Sequence, residues 1–271
     1  MNDRGRLPDT LDSKDWYVRI VAENPNTSAK VLAELANNED DDVREGVAGN
    51  ANTRGEVLAK MATDKYSEVR LAVARNPNTS AETLAKLAMD KDWRIRWSVA
   101  GNTNAPAELL AKLAADWNSD VRRLVAGNTG TPAEVLERLA TDEEFSVRLL
   151  VAGNPTTPAE TLNKLAKDGE WLVRRAVAGN ISASSEALDV LATDESWDVR
   201  RNMAGNPNAT ETILLMISRD SSQSVREAIA RNPKIPQEVA TRLSTSKVPQ
   251  IRKALAENPA VPEHIRVGLS L

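Results

Sequence analysis

The 271-residue chain has no cysteine, a single histidine (His264) and only 3% aromatic residues. Each shortage closes off a chemistry. Without Cys there is no disulfide framework, no thiolate zinc site, no iron–sulfur cluster and no Cys nucleophile. A Ser-His-Asp arrangement would have to recruit His264, close to the end of the chain. Long apolar runs are also missing. The longest, Ile213 to Ile217, is far too short to cross a bilayer, and Met1 to Asp15 lacks the apolar stretch of a secretory signal. Nor is there an excess of positive charge: 35 Lys and Arg stand against 39 Asp and Glu, for a net charge of -4. That balance argues against a general nucleic-acid binder. These absences lead to the expectation of a cytoplasmic, non-membrane protein with no cofactor and no metal. At 41% hydrophobic and 27% charged residues, the composition is that of a folded chain. The aromatics that are present are skewed, with six Trp against one Phe.

What fills the chain is a repeat. Asn24, Asn50, Asn76, Asn102, Asn128, Asn154, Asn180, Asn206, Asn232 and Asn258 are spaced by 26 residues throughout. Ala stands two positions before each, from Ala22 to Ala256, and Arg six before each from Arg44 to Arg252. The first copy has Arg19 instead, displaced by a one-residue deletion. Such self-similarity marks a solenoid whose units stack on their neighbours. The expected organisation is a leader or cap over 1–16 and ten repeats over 17–271, forming a single elongated domain.

One unit, 69–94, predicts two helices. Thr79-Ser80-Ala81-Glu82 reads as a capping box opening a helix A near 80–89. In three copies the residue after the cap is Pro106, Pro132 or Pro158, where a helix tolerates proline. Leu84, Leu87 and Ala88 share one face by i, i+3, i+4 spacing. Helix B is expected from near Asp92 to Ala100, short enough to be α or 3₁₀, with Ile95, Val99 and Ala100 buried. The Gly that precedes Asn in six of ten copies is expected to end it in a left-handed conformation. No alternating strand signal competes, so the fold class is all-α without β-sheet. With helix layers about 8–10 Å apart, ten repeats would make a curved rod on the order of 100 Å long.

The unit Val-Arg-x-x-Val-Ala-x-Asn-Pro-Asn-Thr-x-x-Glu-x-Leu-x-x-Leu-Ala-x-Asp resembles the leucine-rich repeat variant family, and the resemblance covers all ten copies. It implies a right-handed superhelical solenoid of alternating α and 3₁₀ helices that serves as a binding scaffold. Some relatives carry a Cys-rich cluster-binding segment; with no Cys, that property does not carry over. The Asp-x-x-x-x-Val-Arg spacing also resembles HEAT repeats.

The fixed Asn reads as a structural group that bonds its own turn. The fixed Arg reads as half of an ion-pair ladder with Asp64, Asp90, Asp116, Asp142, Asp168, Asp194 and Asp220, bridging either the corner or the neighbouring repeat. Trp93, Phe145, Trp171 and Trp197, with Trp16 in the shortened copy, share one position and read as corner packing rather than a ligand cage. Trp97 and Trp117 do not follow that pattern. Asn-x-Ser/Thr triplets at Asn26, Asn78, Asn180 and Asn208 read as by-products of the repeat. The acidic loop from Asn38 to Asp42 reads as a solvated turn, since the spacing of a Ca²⁺ loop is missing.

Candidate functional residues lie on the variable surface. Glu–Lys and Glu–Arg pairs, such as Glu82 with Lys86, give helix A a solvated, neutral face. Val190, Leu215 and Met216 break that face, either as a protein or self-association interface or as drift in a shifted helix. On helix B the position after the fixed Arg holds Leu71, Trp97, Arg123, Leu149, Arg175 and Arg201. If helix B lines the concave side, this row is a ligand stripe of residue types found at hot spots; otherwise it is unconstrained solvent surface. At the C-terminal end, Leu269 and Leu271 either fold back or meet another chain. No nucleophile, base and oxyanion-donor constellation is visible. The sequence thus reads as a non-enzymatic scaffold for a protein or peptide partner. Its rivals are a nucleic-acid-binding HEAT-like solenoid, with Arg123, Arg175 and Arg201 clustered beside Trp97, and a self-associating structural rod. Homo-oligomers would form through repeats 7 and 8 or the C-terminal end.

Overall fold

The computed structural model describes residues 15–269, and among these there are helices and no strands. Two compact units divide the chain after Gly130. The first contains α1 (Asp15–Glu23), α2 (Ala29–Leu35), α3 (Asp41–Gly49), α4 (Gly55–Met61), α5 (Ser67–Arg75), α6 (Ala81–Leu87), α7 (Trp93–Gly101), α8 (Ala107–Leu113) and α9 (Ser119–Gly127). The second contains α10 (Ala133–Leu139), α11 (Phe145–Gly153), α12 (Ala159–Leu165), α13 (Trp171–Gly179), α14 (Ser185–Leu191), α15 (Trp197–Gly205), α16 (Glu211–Ile217), α17 (Gln223–Arg231), α18 (Gln237–Ser244), α19 (Pro249–Glu257) and α20 (Glu263–Leu269). Even-numbered helices are the expected helix A and odd-numbered ones helix B. Both are α-helical, and helix B is the longer, nine residues against seven in a unit such as α6–α7.

Burial follows the repeat. Leu32, Leu58, Leu84, Leu110, Leu136, Leu162, Leu188 and Leu214 are fully buried on successive A helices. On the B helices α3 to α17, two apolar residues four apart and the next Ala, such as Val69, Val73 and Ala74, are buried. Neither helix is long enough to persist alone, so stability comes from stacking. Within each unit, successive B helices pack directly against one another, whereas successive A helices touch little. The B helices thus form the more tightly spaced layer of each unit. Small residues permit that approach: a Cβ added to Gly46 would lie 3.1 Å from Ala22 Cβ.

Three local expectations are corrected. The cap of α6 is Ser80, not Thr79. Ser80 accepts from the Thr83 N–H, while Thr79 Oγ1 donates to Val73 O at 2.6 Å and ties down the turn from helix B. The A helices accordingly start one residue later, and Pro106, Pro132 and Pro158 stand at N-cap positions in extended backbone. Finally, the Gly before each Asn is the last helical residue, without the expected left-handed conformation at Gly49, Gly101, Gly153, Gly179 or Gly205. The following Asn leaves the helix in extended conformation instead, as at Asn102 with φ -74° and ψ 130°.

Leu271 and the segment from Arg4 to Lys14, both expected to form ends or caps, lie outside the described residues. Leu269 ends α20.

Candidate functional site

The fixed polar residues are consumed by the fold. Asn76 Nδ2 donates to Ala48 O (2.7 Å) and Asn50 O (2.9 Å) of the preceding repeat, and its Oδ1 accepts from the Asn78 N–H at 2.9 Å. Asn50, Asn102, Asn180, Asn206, Asn232 and Asn258 repeat this pattern. Asn52, Asn78, Asn104 and Asn208 add an outer row of bonds to the previous turn. This row accounts for two of the Asn-x-Ser/Thr triplets, those at Asn78 and Asn208.

The fixed Arg does both things the sequence left open. Arg96 Nη1 donates to Asp90 O in its own corner, and Nε and Nη2 grip Asp116 of the next repeat at 2.6 and 2.9 Å. Arg44–Asp64, Arg70–Asp90, Arg148–Asp168, Arg174–Asp194 and Arg200–Asp220 do the same. The pairs are nearly dry: the Arg96 and Asp116 side chains are 7% and 6% exposed. Burial alone would raise the Asp116 carboxyl, but the Arg96 guanidinium and the Asn118 N–H outweigh it and hold it below its ordinary range. Arg19 sits outside this pattern, bonding Asp42 and Glu23. These arginines are therefore not offered to a phosphate.

Trp117, unexplained by the repeat, lies over one of these pairs, with the Arg96 guanidinium 5.2 Å from its ring centroid. Tyr66 receives Arg44 likewise at 5.4 Å. The only sequence signal for this was adjacency to a ladder Asp. Trp117 and the exposed Met89 also line an apolar cleft of about 370 Å³ with Leu109 and Leu113. That cleft went unnoticed in the sequence because its residues come from successive repeats.

The acidic loop is spent on turns. Asn38 Oδ1 accepts from the Asp40 N–H and Asp40 Oδ1 from the Asp42 N–H, capping α3. Among the described residues no group of His, Asp or Glu is arranged to hold a metal ion.

The variable row lies on the B helices of both units. In the first, Leu71 and Trp97 are half-buried and Arg123 is exposed; in the second, Leu149 is half-buried and Arg175 and Arg201 are exposed. The exposed arginines carry carboxylates: Arg123 meets Asp120 at 3.1 Å, and Arg175 and Arg201 meet Asp198 at 3.1 and 3.7 Å. An open groove accompanies the row in each unit. The first, about 420 Å³, is lined by Glu45, Glu68, Leu71, Gly49 and Arg75 among others. The second, about 380 Å³, lies at equivalent positions, including Arg201, Gly179, Gly205 and Arg231. Burial, followed by Asp42, pushes the Glu45 carboxyl up.

On the A-helix face, Val190, Leu215 and Met216 are 39, 37 and 56% exposed. Helix α16 is capped by Thr210 in the register of the other A helices, so a shifted helix does not explain them. Elsewhere on this face Glu82–Lys86 and Glu238–Arg242 form the expected pairs. Lys164 instead reaches Glu137 of the preceding repeat at 2.7 Å.

The architecture defines a helical repeat solenoid. The family model for the leucine rich repeat variant matches residues 68–92 and 120–144. A solved structure described as a leucine-rich repeat variant with a novel repetitive structural motif is 28% identical, covering 82% of this chain and 87% of its own, with a TM-score of 0.61. Two of the repeats are thus similar in sequence to the leucine rich repeat variant, and the chain is similar in fold to a solved member of that class. Two further structures are similar at lower levels. An engineered protein is 19% identical over 93% of each chain, with a TM-score of 0.41. Importin beta is 12% identical over 93% of this chain and 45% of its own, with a TM-score of 0.44. No curated protein matches. No helix among the described residues is long and apolar enough to cross a membrane.

Proposed function

We propose that the chain is a non-enzymatic scaffold that binds a protein or peptide along the face of its B helices. The observation that carries this reading is the contrast between two sets of residues. The fixed Asn, Arg and Asp are engaged inside the fold, whereas Leu71, Trp97, Arg123, Leu149, Arg175 and Arg201 vary and reach the surface, and Leu71 and Arg201 line open grooves. Variation on a constant frame is how repeat scaffolds encode a ligand. The Arg–carboxylate pairs favour a partner bearing both charges over a phosphate backbone, whose binding needs uncompensated cations. The test is to select peptides from a randomised display library against the intact chain and titrate them calorimetrically. Leu149→Glu with Arg201→Glu is expected to weaken the selected peptides by about tenfold or more. Unchanged affinity would refute the reading.

The three exposed apolar residues of α14 and α16, in an unshifted helix, favour a second contact. We propose that Val190, Leu215 and Met216 form a self-association surface of the second unit.

A further inference from the structure

Phe145, Trp171 and Trp197 open three successive B helices, α11, α13 and α15, of the second unit. They are 40, 41 and 50% exposed, so packing uses only part of each ring. The fold does not demand them. Asp41, Ser67, Ser119 and Gln223 occupy the same position of α3, α5, α9 and α17, and those helices form just as well. Three consecutive half-exposed rings therefore exceed what corner packing needs, and they are placed one per repeat.

Their surroundings are specific. Arg175 lies over the Trp171 ring, 5.5 Å from its centroid, and is itself held by Asp198. Beside Trp197 is an open cleft of about 470 Å³, lined by Glu195, Trp197, Arg200, Ser221, Ser222 and Ser224. Exposed carboxylates border the row: Glu144 and Glu170 immediately precede Phe145 and Trp171, and Glu195 lies two residues before Trp197 and is 88% exposed. The neighbouring Arg148, Arg174 and Arg200 are neutralised by Asp168, Asp194 and Asp220, and Arg174 also reaches Glu195 at 3.3 Å, so the acidity of the rim comes mainly from Glu144 and Glu170.

The row sets a ruler. Packed helices lie about 8–10 Å apart, and a polyproline II helix advances about 9 Å per three-residue turn. A proline at every third residue thus meets one ring per repeat, and basic residues between prolines meet the acidic rim. Stacking of Pro rings on exposed aromatics is the general mode by which such segments are recognised. We propose that Phe145, Trp171 and Trp197 form a docking row for a basic, proline-rich peptide in polyproline II conformation. The proposal rests on the reading of the B-helix face as a peptide-binding face and names its partner.

The test is calorimetric titration of the intact chain with a synthetic peptide, Pro-Ala-Arg-Pro-Ala-Arg-Pro-Ala-Arg-Pro. A peptide of equal composition with its prolines adjacent serves as the control. The three-residue spacing is expected to bind at least about tenfold more tightly than the control. Trp171→Ala and Trp197→Ala are each expected to lose about tenfold, with Trp197→Phe staying within about threefold. Should an Ala variant melt early, the spacing comparison on the unaltered chain still decides. Equal binding of both peptides, no binding, or insensitivity to the rings would overturn the proposal. So would ring-dependent binding of a cello-oligosaccharide with neither peptide bound. If display-selected peptides still depend on Leu149 and Arg201 in any of these cases, only the polyproline assignment fails.

Discussion

Asn76 shows how one side chain can be both invariant in the repeat and unavailable for function. It is 2% exposed and uses both amide hydrogens and its oxygen inside the molecule. Asn76→Ala removes three bonds and takes the side-chain partner from Ala48 O, while Asn50 O keeps its bond from the Thr53 N–H; each buried group left unsatisfied costs about 1–3 kcal/mol. The melting temperature should fall well below that of Asn78→Ala, whose amide bonds at an exposed rim; equal shifts would contradict the ladder. The Arg–Asp pairs make an independent prediction. The carboxyls of Asp64, Asp90, Asp116, Asp168 and Asp220 are shifted downward in the folded chain. Their stabilisation is complete above the unfolded value, about 3.9, and is lost as pH falls through the lower folded values. Stability should therefore hold from pH 7 to about pH 5 and drop below about pH 4. Asp116→Asn should flatten part of that loss in thermal melts recorded across the range. A fall beginning near pH 6 would point to other groups.

At the scale of the element, the 26-residue period made helix type, number and buried face legible, because the period itself reports packing. Details decided by one hydrogen bond were not. Thr79 and Ser80 both offer a hydroxyl, and only the turn geometry sends Thr79 to Val73 O and leaves Ser80 as the cap. Likewise the Arg keeps the backbone carbonyl of the Asp six residues back and takes the carboxylate of the Asp twenty residues ahead, a division made by stacking. The glycines are the instructive miss. An added Cβ would meet nothing within 4 Å at Gly153 or Gly205, while at Gly101 it would lie 2.9 Å from Leu124 Cδ2. Gly153→Ala and Gly205→Ala are therefore expected to stabilise the chain by up to about 1 kcal/mol each. Gly101→Ala should gain less, because Leu124 must move. Destabilisation at Gly153 or Gly205, measured by chemical denaturation, would show that the fold needs a bare backbone there.

For the whole molecule, the sequence conveyed a scaffold and a set of variable surface residues but no partner. A ligand is specified by side chains brought side by side from successive repeats, and such neighbours are 26 residues apart in the chain. Trp117 over Arg96 becomes a feature only once the helices are stacked, whereas Trp171 and Arg175 share α13, four residues apart. The A-helix face makes its own prediction. Leu215→Lys with Met216→Lys should lower the molar mass measured by light scattering at high protein concentration and change stability by no more than about 0.5 kcal/mol per site, as exposed sites do. A mass that does not change would remove self-association through this face. The central claim, that the B-helix face is where a partner docks, is met most directly by site-specific photo-cross-linking to a display-selected peptide. Cross-linkers placed at positions 149, 175 and 201 should capture the peptide, and those at 86, 164 and 190 on the A helices should not. Capture confined to the A-helix positions would contradict the account.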